Sequence, residues 1–122
     1  MPRYVVLEHT GSSSYKPGRH WDLMLEVNER LRTWELGGVP SPGESIRAVP
    51  LPDHRLEYLD YEGPVAGNRG AVRQWDAGEY DTLCETAFEL KVQLDGQQLQ
   101  GRLHLRRDLV EVDAWLVAFE PA

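Results

Sequence analysis

The short pattern His20-Trp21-Asp22 puts an imidazole and a carboxylate two positions apart on a predicted strand. Residues two apart on a strand point to the same face, with Cα atoms about 6.5–7 Å apart, so both side chains can converge on one cation. Imidazole and carboxylate together suit Mn, Fe, Zn and similar metals. His9 ends the neighbouring predicted strand and offers a third ligand. The alternative is that the pattern arises by chance and that His20 and Asp22 lie on a solvent-exposed face of the strand without binding a metal.

Two further histidines lie outside this pattern, at His54 and His104. His104 stands between Arg102 and Arg106 on one face of a predicted strand. His104 fits either a polar barrel interior or an ordinary surface or structural position. Arg102 and Arg106 fit either phosphate contacts or surface charges, and all of these interpretations stay open.

The candidate ligands need a β framework, and most windows of the chain alternate with a period of two. About eight strands with short connections predict an all-β, mainly antiparallel fold, either a small closed or nearly closed β-barrel or a sandwich. Asn28-Glu29 and Asp95-Gly96 are typical of hairpins, whereas Thr10 to Gly18 is typical of a loop. Residues 79–86 are compatible with a helical turn. The predicted strands are 3–9, 20–27, 31–36, 46–51, 71–75 (closed by Asp76-Ala77-Gly78), 88–94, 99–105 and 115–119.

The clearest alternation runs from His20 to Val27. It divides this strand into two faces of opposite character. One face carries Trp21, Leu23, Leu25 and Val27, and the other carries His20, Asp22, Met24 and Glu26.

Composition limits the classes of function. The chain has 122 residues, so we expect a single domain over residues 1–122. Thirteen Lys and Arg against 20 Asp and Glu give a net charge of −7, which excludes a strongly basic nucleic-acid-binding domain. Most of the cations are Arg, which suits a local phosphate site. The single Cys84 excludes an intrachain disulfide, and the lack of a signal or membrane-spanning pattern predicts a cytoplasmic protein with no membrane partner.

Six segments occur in an order that is typical of one family. Together they resemble the 3'-phosphoesterase domain of bacterial DNA ligase D, whose pattern runs V-Q-E-H, H-Y-D-F-R-L-E, D-H-P-L-D-Y-x-x-F-E-G, W-D-x-G, L-x-G-x-W/F-x-L and W-x-L. The resemblance covers about residues 3 to 119. The segments are Val6 to His9, His20 to Glu26, Asp53 to Gly63, Trp75 to Gly78, Leu99 to Leu105 and Trp115 to Val117.

The resemblance implies a small β-barrel with a polar, metal-containing interior. It implies that His9, His20 and Asp22 bind a divalent metal, which is of the Mn type in the family, with Zn as an alternative. It also implies a phosphoesterase that trims 3'-ribonucleotides or 3'-phosphates from nucleic-acid ends, in DNA or in a primer-template. A repair-protein partner is a further expectation.

The resemblance also assigns roles around the metal. It implies that His54 contacts the reacting phosphate and that Tyr58 lies beside it as a second catalytic side chain. Glu8 and Glu62 match acidic positions near the site. An imidazole can hold or protonate a phosphate oxygen, and a phenol can add one donor.

The chain departs from the family pattern at several places. The family has an Arg two residues after the Asp, where this chain has Met24, so phosphate removal loses one contact. Arg19 is a candidate substitute, although its side chain starts on the opposite strand face. The loop between His9 and His20 is longer than in the family, and the Gly-rich segment is shortened here to residues 64–70.

Two other functions compete with the phosphoesterase. Two His and one carboxylate on a β fold also make the site of cupin-like non-haem metal oxygenases, which metal preference and reactivity with oxygen would distinguish. The third interpretation is a catalytically degenerate module that binds metal, DNA ends or a protein. Loss of the Arg at Met24 is the feature that favours it.

Overall fold

A computed structural model describes residues 1–11, 18–67, 69–111 and 113–122. No helix within these ranges is long and apolar enough to cross a membrane. The loop predicted over Thr10 to Gly18 falls mostly on residues 12–17, outside the described residues. The elements are β1 (Arg3–Thr10), β2 (Arg19–Val27), β3 (Arg30–Leu36), β4 (Ser45–Arg55), a 3₁₀ helix (Leu56–Leu59), β5 (Gly63–Pro64), β6 (Ala71–Glu85), β7 (Glu89–Gly96), β8 (Gln100–Arg107) and β9 (Trp115–Pro121).

Eight strands close into a ring of antiparallel pairs. The strand order is β1-β2-β3-β4-β9-β8-β7-β6, and β1 also pairs with β6, which joins the two ends. The two-residue strand β5 adds to β6 beside the ring. The all-β, mainly antiparallel class and the closed arrangement predicted from the sequence are therefore confirmed.

The hairpin between β2 and β3 turns at the two residues named by the sequence. Asn28 and Glu29 have φ values of 49° and 65°, and Val27 pairs with Arg30 directly across the turn. Two consecutive positive φ values are what a two-residue turn needs to match the twist of the strands. This turn fixes the register that brings β3 against β2.

The face enclosed by the ring is apolar. All eight ring strands contribute to one hydrophobic cluster, and side chains from every part of a closed ring can meet only inside it. The polar, metal-containing interior expected from the resemblance is wrong for this chain. On β2 the apolar residues Leu23 and Leu25 enter the ring, so the period of two sends His20 and Asp22 to the outside.

A second apolar cluster lies on the outer face, next to those polar residues. It joins residues of β1, β2, β3 and β6 to the 3₁₀ helix, whose Leu59 is buried. The 3₁₀ helix thereby covers part of the outer face and forms one wall of a cleft. The cluster consists of Val5, Leu7, Met24, Leu31, Leu59 and Val72.

Strand β6 differs from the sequence prediction. It runs without interruption through Asp76-Ala77-Gly78 and through residues 79–85, where a turn and a possible helical turn were expected. Gly78 lies so close to Asp95 and Gly96 of β7 that an added Cβ would collide with their backbone. The glycine therefore serves close strand packing instead of a turn.

The hairpin predicted at Asp95-Gly96 is present, but its turn lies further along the chain. Asp95 pairs with Gln100, and the Gly96 N–H donates to the Leu99 carbonyl oxygen at 2.9 Å. The turn is therefore formed by residues 97 and 98. Gly96 makes room for Tyr4 and Asp76, whose side chains occupy the space that a Cβ would take.

Candidate metal centre and adjoining cleft

Strands β1 and β2 bring the three candidate ligands together on the outer face. His9 lies directly opposite His20 in the β1–β2 register, and Asp22 lies opposite Leu7. One ligand atom from each of His9, His20 and Asp22 lies within 4.8 Å of the other two. The sequence pattern and the strand register therefore select the same three side chains.

The Asp22 carboxylate lies between the two imidazoles. Its Oδ2 is 3.8 Å from His9 Nδ1, and its Oδ1 is 3.6 Å from His20 Nε2. The two imidazole ring centroids are 4.6 Å apart. These separations are longer than ordinary hydrogen bonds. The three side chains therefore face a common point without bonding directly to one another.

The donor set fits a divalent cation. Asp22 has a side chain only 6% exposed, and its Oδ1 has no hydrogen-bond partner among the described residues. Burying such an oxygen without a partner is costly unless a cation or water meets it. Burial acts to raise the pKa of Asp22, but His20 and His9 outweigh it, so the pKa is lowered and the carboxylate is favoured.

The orientation of His9 also suits metal binding. Its Nε2 lies 2.6 Å from the Arg69 carbonyl oxygen, which can only accept, so Nε2 carries the proton. Nδ1 is then the nitrogen that faces Asp22. Metal-binding histidines commonly donate their second N–H to a carbonyl in this way.

The charge of His9 depends on the same neighbours. The Asp22 carboxylate raises the pKa of His9 above its ordinary value, burial opposes this, and the Arg69 carbonyl adds to the increase. When His9 is protonated, Nδ1 also carries a proton, and a bound metal must displace that Nδ1 proton.

Glu35 is a fourth side chain at this group, and the sequence analysis missed it. In the β2–β3 register Glu35 lies directly opposite Asp22, and its Oε1 is 3.9 Å from His20 Nε2. The signal was present in the chain, because the Asn28-Glu29 hairpin fixes which residue of β3 faces Asp22. It becomes visible only when the two strands are paired.

A cleft of about 470 Å³ extends from the three candidate ligands along the outer face. Strand β4 and the 3₁₀ helix form its far side, and Val65 and Arg69 also line it. The cleft combines polar and apolar side chains. Its lining comprises Leu7, His9, His20, Asp22, Met24, Glu35, Leu51, Pro52, Asp53, His54, Arg55, Tyr58, Val65, Arg69 and Val72.

His54 and Tyr58 line the far side of this cleft. His54 Nδ1 lies 3.0 Å from the Pro52 carbonyl oxygen, and the His54 and Tyr58 rings meet edge to face at a centroid distance of 5.8 Å. Strand β4 reaches His54 because it continues through Pro52 beyond Leu51, where the sequence analysis ended it. Beyond Val49 it pairs only with β3 among the described residues, and prolines are tolerated along such an edge.

Met24 lies between the candidate ligands and His54. On β3, Glu35 lies opposite Asp22, and Thr33 lies opposite Met24. Leu31, two residues further back along β3, lies opposite His54 of β4. Met24 is 1% exposed within the outer apolar cluster. The residue that replaces the family Arg therefore lies under the middle of the cleft.

The structure does not bring Glu8 and Arg19 to this cleft. Glu8 alternates with His9 on β1 and faces the opposite side of the sheet, where Arg73 Nη2 donates to its Oε1 at 3.0 Å. Arg19 Nη1 lies 3.6 Å from Glu8 Oε2, and the guanidinium stacks over Trp21. Both are thus paired with each other away from Asp22.

Glu62 occupies a supporting position beside the 3₁₀ helix. Its Oε2 accepts the backbone N–H of Gln74 at 2.7 Å, which ties the segment after the helix to β6. It does not line the cleft.

The cluster around His104 lies elsewhere on the sheet. His104 Nε2 is 2.8 Å from Glu89 Oε2, and Arg102 forms an ion pair with Glu120 at 2.5 Å. Arg106 is exposed on the same strand. These pairs favour the interpretation as surface charges.

The amino-acid sequence matches a known family. Residues 8–107 match the family described as the DNA Ligase D 3'-phosphoesterase domain. The chain belongs to this family. The ligase D phosphoesterase resemblance inferred from the motifs is confirmed.

Two similar relatives are named as multifunctional end-joining proteins. The "Multifunctional non-homologous end joining protein LigD" of Pseudomonas aeruginosa is 34% identical in an alignment 115 residues long, which covers 86% of this chain and 13% of the relative. The "Multifunctional non-homologous end joining DNA repair protein LigD" of Mycobacterium tuberculosis is 33% identical in an alignment 122 residues long, which covers 93% of this chain and 15% of the relative. The chain thus spans only about a seventh of these relatives.

Proposed function

We propose that residues 1–122 form a single domain that acts as a metal-dependent phosphoesterase on nucleic-acid 3' ends. It removes a 3'-terminal ribonucleotide or a 3'-phosphate, with Mn as the expected metal and Zn as the alternative. The observation that carries this proposal is the group of His9, His20 and Asp22, with a buried carboxylate oxygen that has no partner among the described residues. Membership of the phosphoesterase family and the end-joining names of the relatives support the choice of substrate.

In this proposal His9 Nδ1, His20 Nε2 and the Asp22 carboxylate hold the metal. A divalent metal in this position supplies a Lewis acid that polarises a phosphoryl oxygen and offsets the charge of the transition state. The Arg69 carbonyl oxygen keeps His9 in the tautomer that leaves Nδ1 available. The outer apolar cluster holds the strands beneath these side chains rigid.

His54 and Tyr58 act on the phosphate from the other side of the cleft. The Pro52 carbonyl oxygen accepts the Nδ1–H of His54, so Nε2 is the nitrogen that binds a phosphate oxygen or gives a proton to the leaving oxygen. The Tyr58 hydroxyl adds a second donor to the developing charge. The edge-to-face contact between the two rings limits how far either can turn.

The charge balance favours an end over a long duplex. A net charge of −7 opposes broad coverage of a polyanion. Arg55 and Arg69 line the cleft, but Asp22, Glu35 and Asp53 line it too, and Arg55 pairs with Glu57 at 3.1 Å. A terminal nucleotide needs only a few local contacts. We place this activity in the cytoplasm, alone or beside a repair-protein partner.

Met24 favours one second candidate, a module that binds metal or DNA ends but has lost phosphate removal. The side chain is buried among apolar residues where the family carries a cation. Family membership disfavours the oxygenase interpretation.

The test uses metal-free protein with Mn, Zn or Mg added back separately. Its substrates are primer-templates whose primers end in a ribonucleotide or in a 3'-phosphate. We expect His20→Ala and Asp22→Ala to abolish processing, while His104→Ala, which removes an imidazole at Glu89, leaves it intact. Metal binding without release of nucleoside or phosphate would favour the degenerate module, and processing by the metal-free protein would contradict the proposal.

A further inference from the structure

Glu35 and Asp22 form an unusual pair. They occupy directly opposed positions on β2 and β3, so both carboxylates project from the outer face. Their side chains are 20% and 6% exposed. Like charges at directly opposed positions of a sheet are destabilising, and partial burial increases the repulsion. A cation between them would reverse the sign of this interaction.

Both carboxylates face the same imidazole nitrogen. His20 Nε2 is 3.6 Å from Asp22 Oδ1 and 3.9 Å from Glu35 Oε1. A cation placed among His9, His20 and Asp22 is therefore within reach of Glu35 after a small change in its side-chain rotamer. The buried Asp22 Oδ1, which has no hydrogen-bond partner in the part of the chain that the structure describes, points to such a cation independently.

We propose that Glu35 is a fourth protein ligand of the divalent metal and that it biases the site towards Mn over Zn. This inference rests on the metal site of the proposed function. Carboxylate oxygens favour Mn, whereas imidazoles suit Zn, so a second carboxylate changes the selectivity of the site. A fourth protein ligand also replaces one metal-bound water.

The experiment measures metal binding and does not depend on catalysis. Metal-free wild type, Glu35→Gln and Glu44→Gln are titrated with Mn and with Zn, and the number of Mn-bound waters is measured by water proton relaxation. Glu44 is an exposed loop residue, so its variant has the same change of charge away from the cleft. We expect Glu35→Gln to weaken Mn binding by about 10–100-fold, to weaken Zn binding less, and to add one bound water. Glu44→Gln should match wild type.

Two further variants distinguish a failure of the role of Glu35 from a failure of the metal site itself. Glu35→Asp keeps a carboxylate, so it should bind Mn more tightly than Glu35→Gln if the oxygen is a ligand. An unchanged number of bound waters, or Mn binding within threefold of wild type, would overturn the role of Glu35. If His20→Ala also left Mn binding unchanged, the metal site of the proposed function would fail as well.

Discussion

The central feature at the scale of single residues is a carboxylate held between two imidazoles. Asp22 is buried, yet its pKa is lowered because His20 and His9 outweigh the effect of burial. The same contact raises the pKa of His9. The group therefore favours a proton on His9 and a negative charge on Asp22. A divalent metal that binds there would displace the proton and pair with the negative charge.

Metal binding should depend on pH with a defined sign. The raised pKa of His9 means that its proton competes with metal to a higher pH than for an ordinary imidazole, near 6.5. Affinity for Mn should increase as pH rises from about 5.5 and level off only above the raised pKa of His9. Titration calorimetry in two buffers of different ionisation enthalpy would count the released proton. A flat affinity across this range would contradict the assignment of His9.

The metal-free protein should show the opposite trend in stability. For His9, whose pKa is raised, the stabilising contribution is present below its unfolded pKa and is lost as pH rises through the folded value. For Asp22, whose pKa is lowered, the contribution is present above its unfolded pKa and is lost as pH falls through the folded value. The pair therefore contributes most between about pH 4 and 6.5. Urea unfolding of wild type and Asp22→Asn across this window tests the difference.

Met24 should limit phosphate removal. An Arg there would lie between the candidate metal ligands and His54, where it can contact a phosphate oxygen. We expect Met24→Arg to increase release of 3'-phosphate by about tenfold, at the cost of some stability because the position is buried. Met24→Leu, which conserves volume, is the control. A folded Met24→Arg protein with no gain in phosphate release would show that this position does not limit the reaction.

The residue types and their spacing predicted His9, His20 and Asp22 because a strand has a fixed period of two. Glu35 could not be named from one strand, since its position depends on the pairing of β2 with β3. The contact of Arg69 with His9 depends on a loop that has no such periodicity. Glu8 and Arg19 pair with each other away from the cleft, and for Arg19 the alternation of β2 had already indicated the opposite strand face.

At the scale of elements, the β7–β8 hairpin depends on a buried carboxylate of another strand. Asp76 on β6 accepts the backbone N–H groups of Gln97 and Gln98 at 2.8 Å and of Leu99 at 3.1 Å. Tyr4 on β1 donates its hydroxyl to the same carboxylate at 2.5 Å. Burial and Asp76 raise the pKa of Tyr4, so the phenol remains a donor. The Asp76 side chain thus links β6 to β1 and to the turn between β7 and β8.

Asp76→Asn should destabilise the protein by about 2–4 kcal/mol, because an amide replaces an acceptor oxygen with a donor that meets buried N–H or O–H groups. Asp95→Asn is the control, since Asp95 is exposed on the same hairpin. Urea unfolding monitored by tryptophan fluorescence would measure both. A loss no larger for Asp76→Asn than for Asp95→Asn would contradict this role.

The element predictions succeeded where local chemistry decides the structure and failed where distant contacts do. Asn28-Glu29 turns where expected: both residues adopt positive φ, a conformation that Asn tolerates well. The Asp-Ala-Gly segment at 76–78 has the composition of a turn but remains in β6, because Asp76 caps a hairpin from another part of the chain. No local pattern reveals that partner.

At the scale of the whole molecule, the closed ring determines where a polar site can form. Closure through β1 and β6 gives the sheet an inside and an outside, and the larger apolar faces occupy the inside. The candidate metal ligands His9, His20 and Asp22 then lie on the outer face. There they adjoin the cleft that is also lined by the end of β4 and by the 3₁₀ helix. The alternation on β2 already separates His20 and Asp22 from the apolar face, but only the closure of the ring shows which of the two faces is enclosed.

The most direct test of the account is a titration of metal-free protein with Mn while the release of a 3'-ribonucleotide from a primer is followed. Activity should rise in proportion to added metal and reach its plateau at one Mn per chain. His20→Ala should bind Mn weakly and remain inactive at the same metal concentration. Full activity in that variant, or processing before any metal is added, would contradict a metal centre at His9, His20 and Asp22.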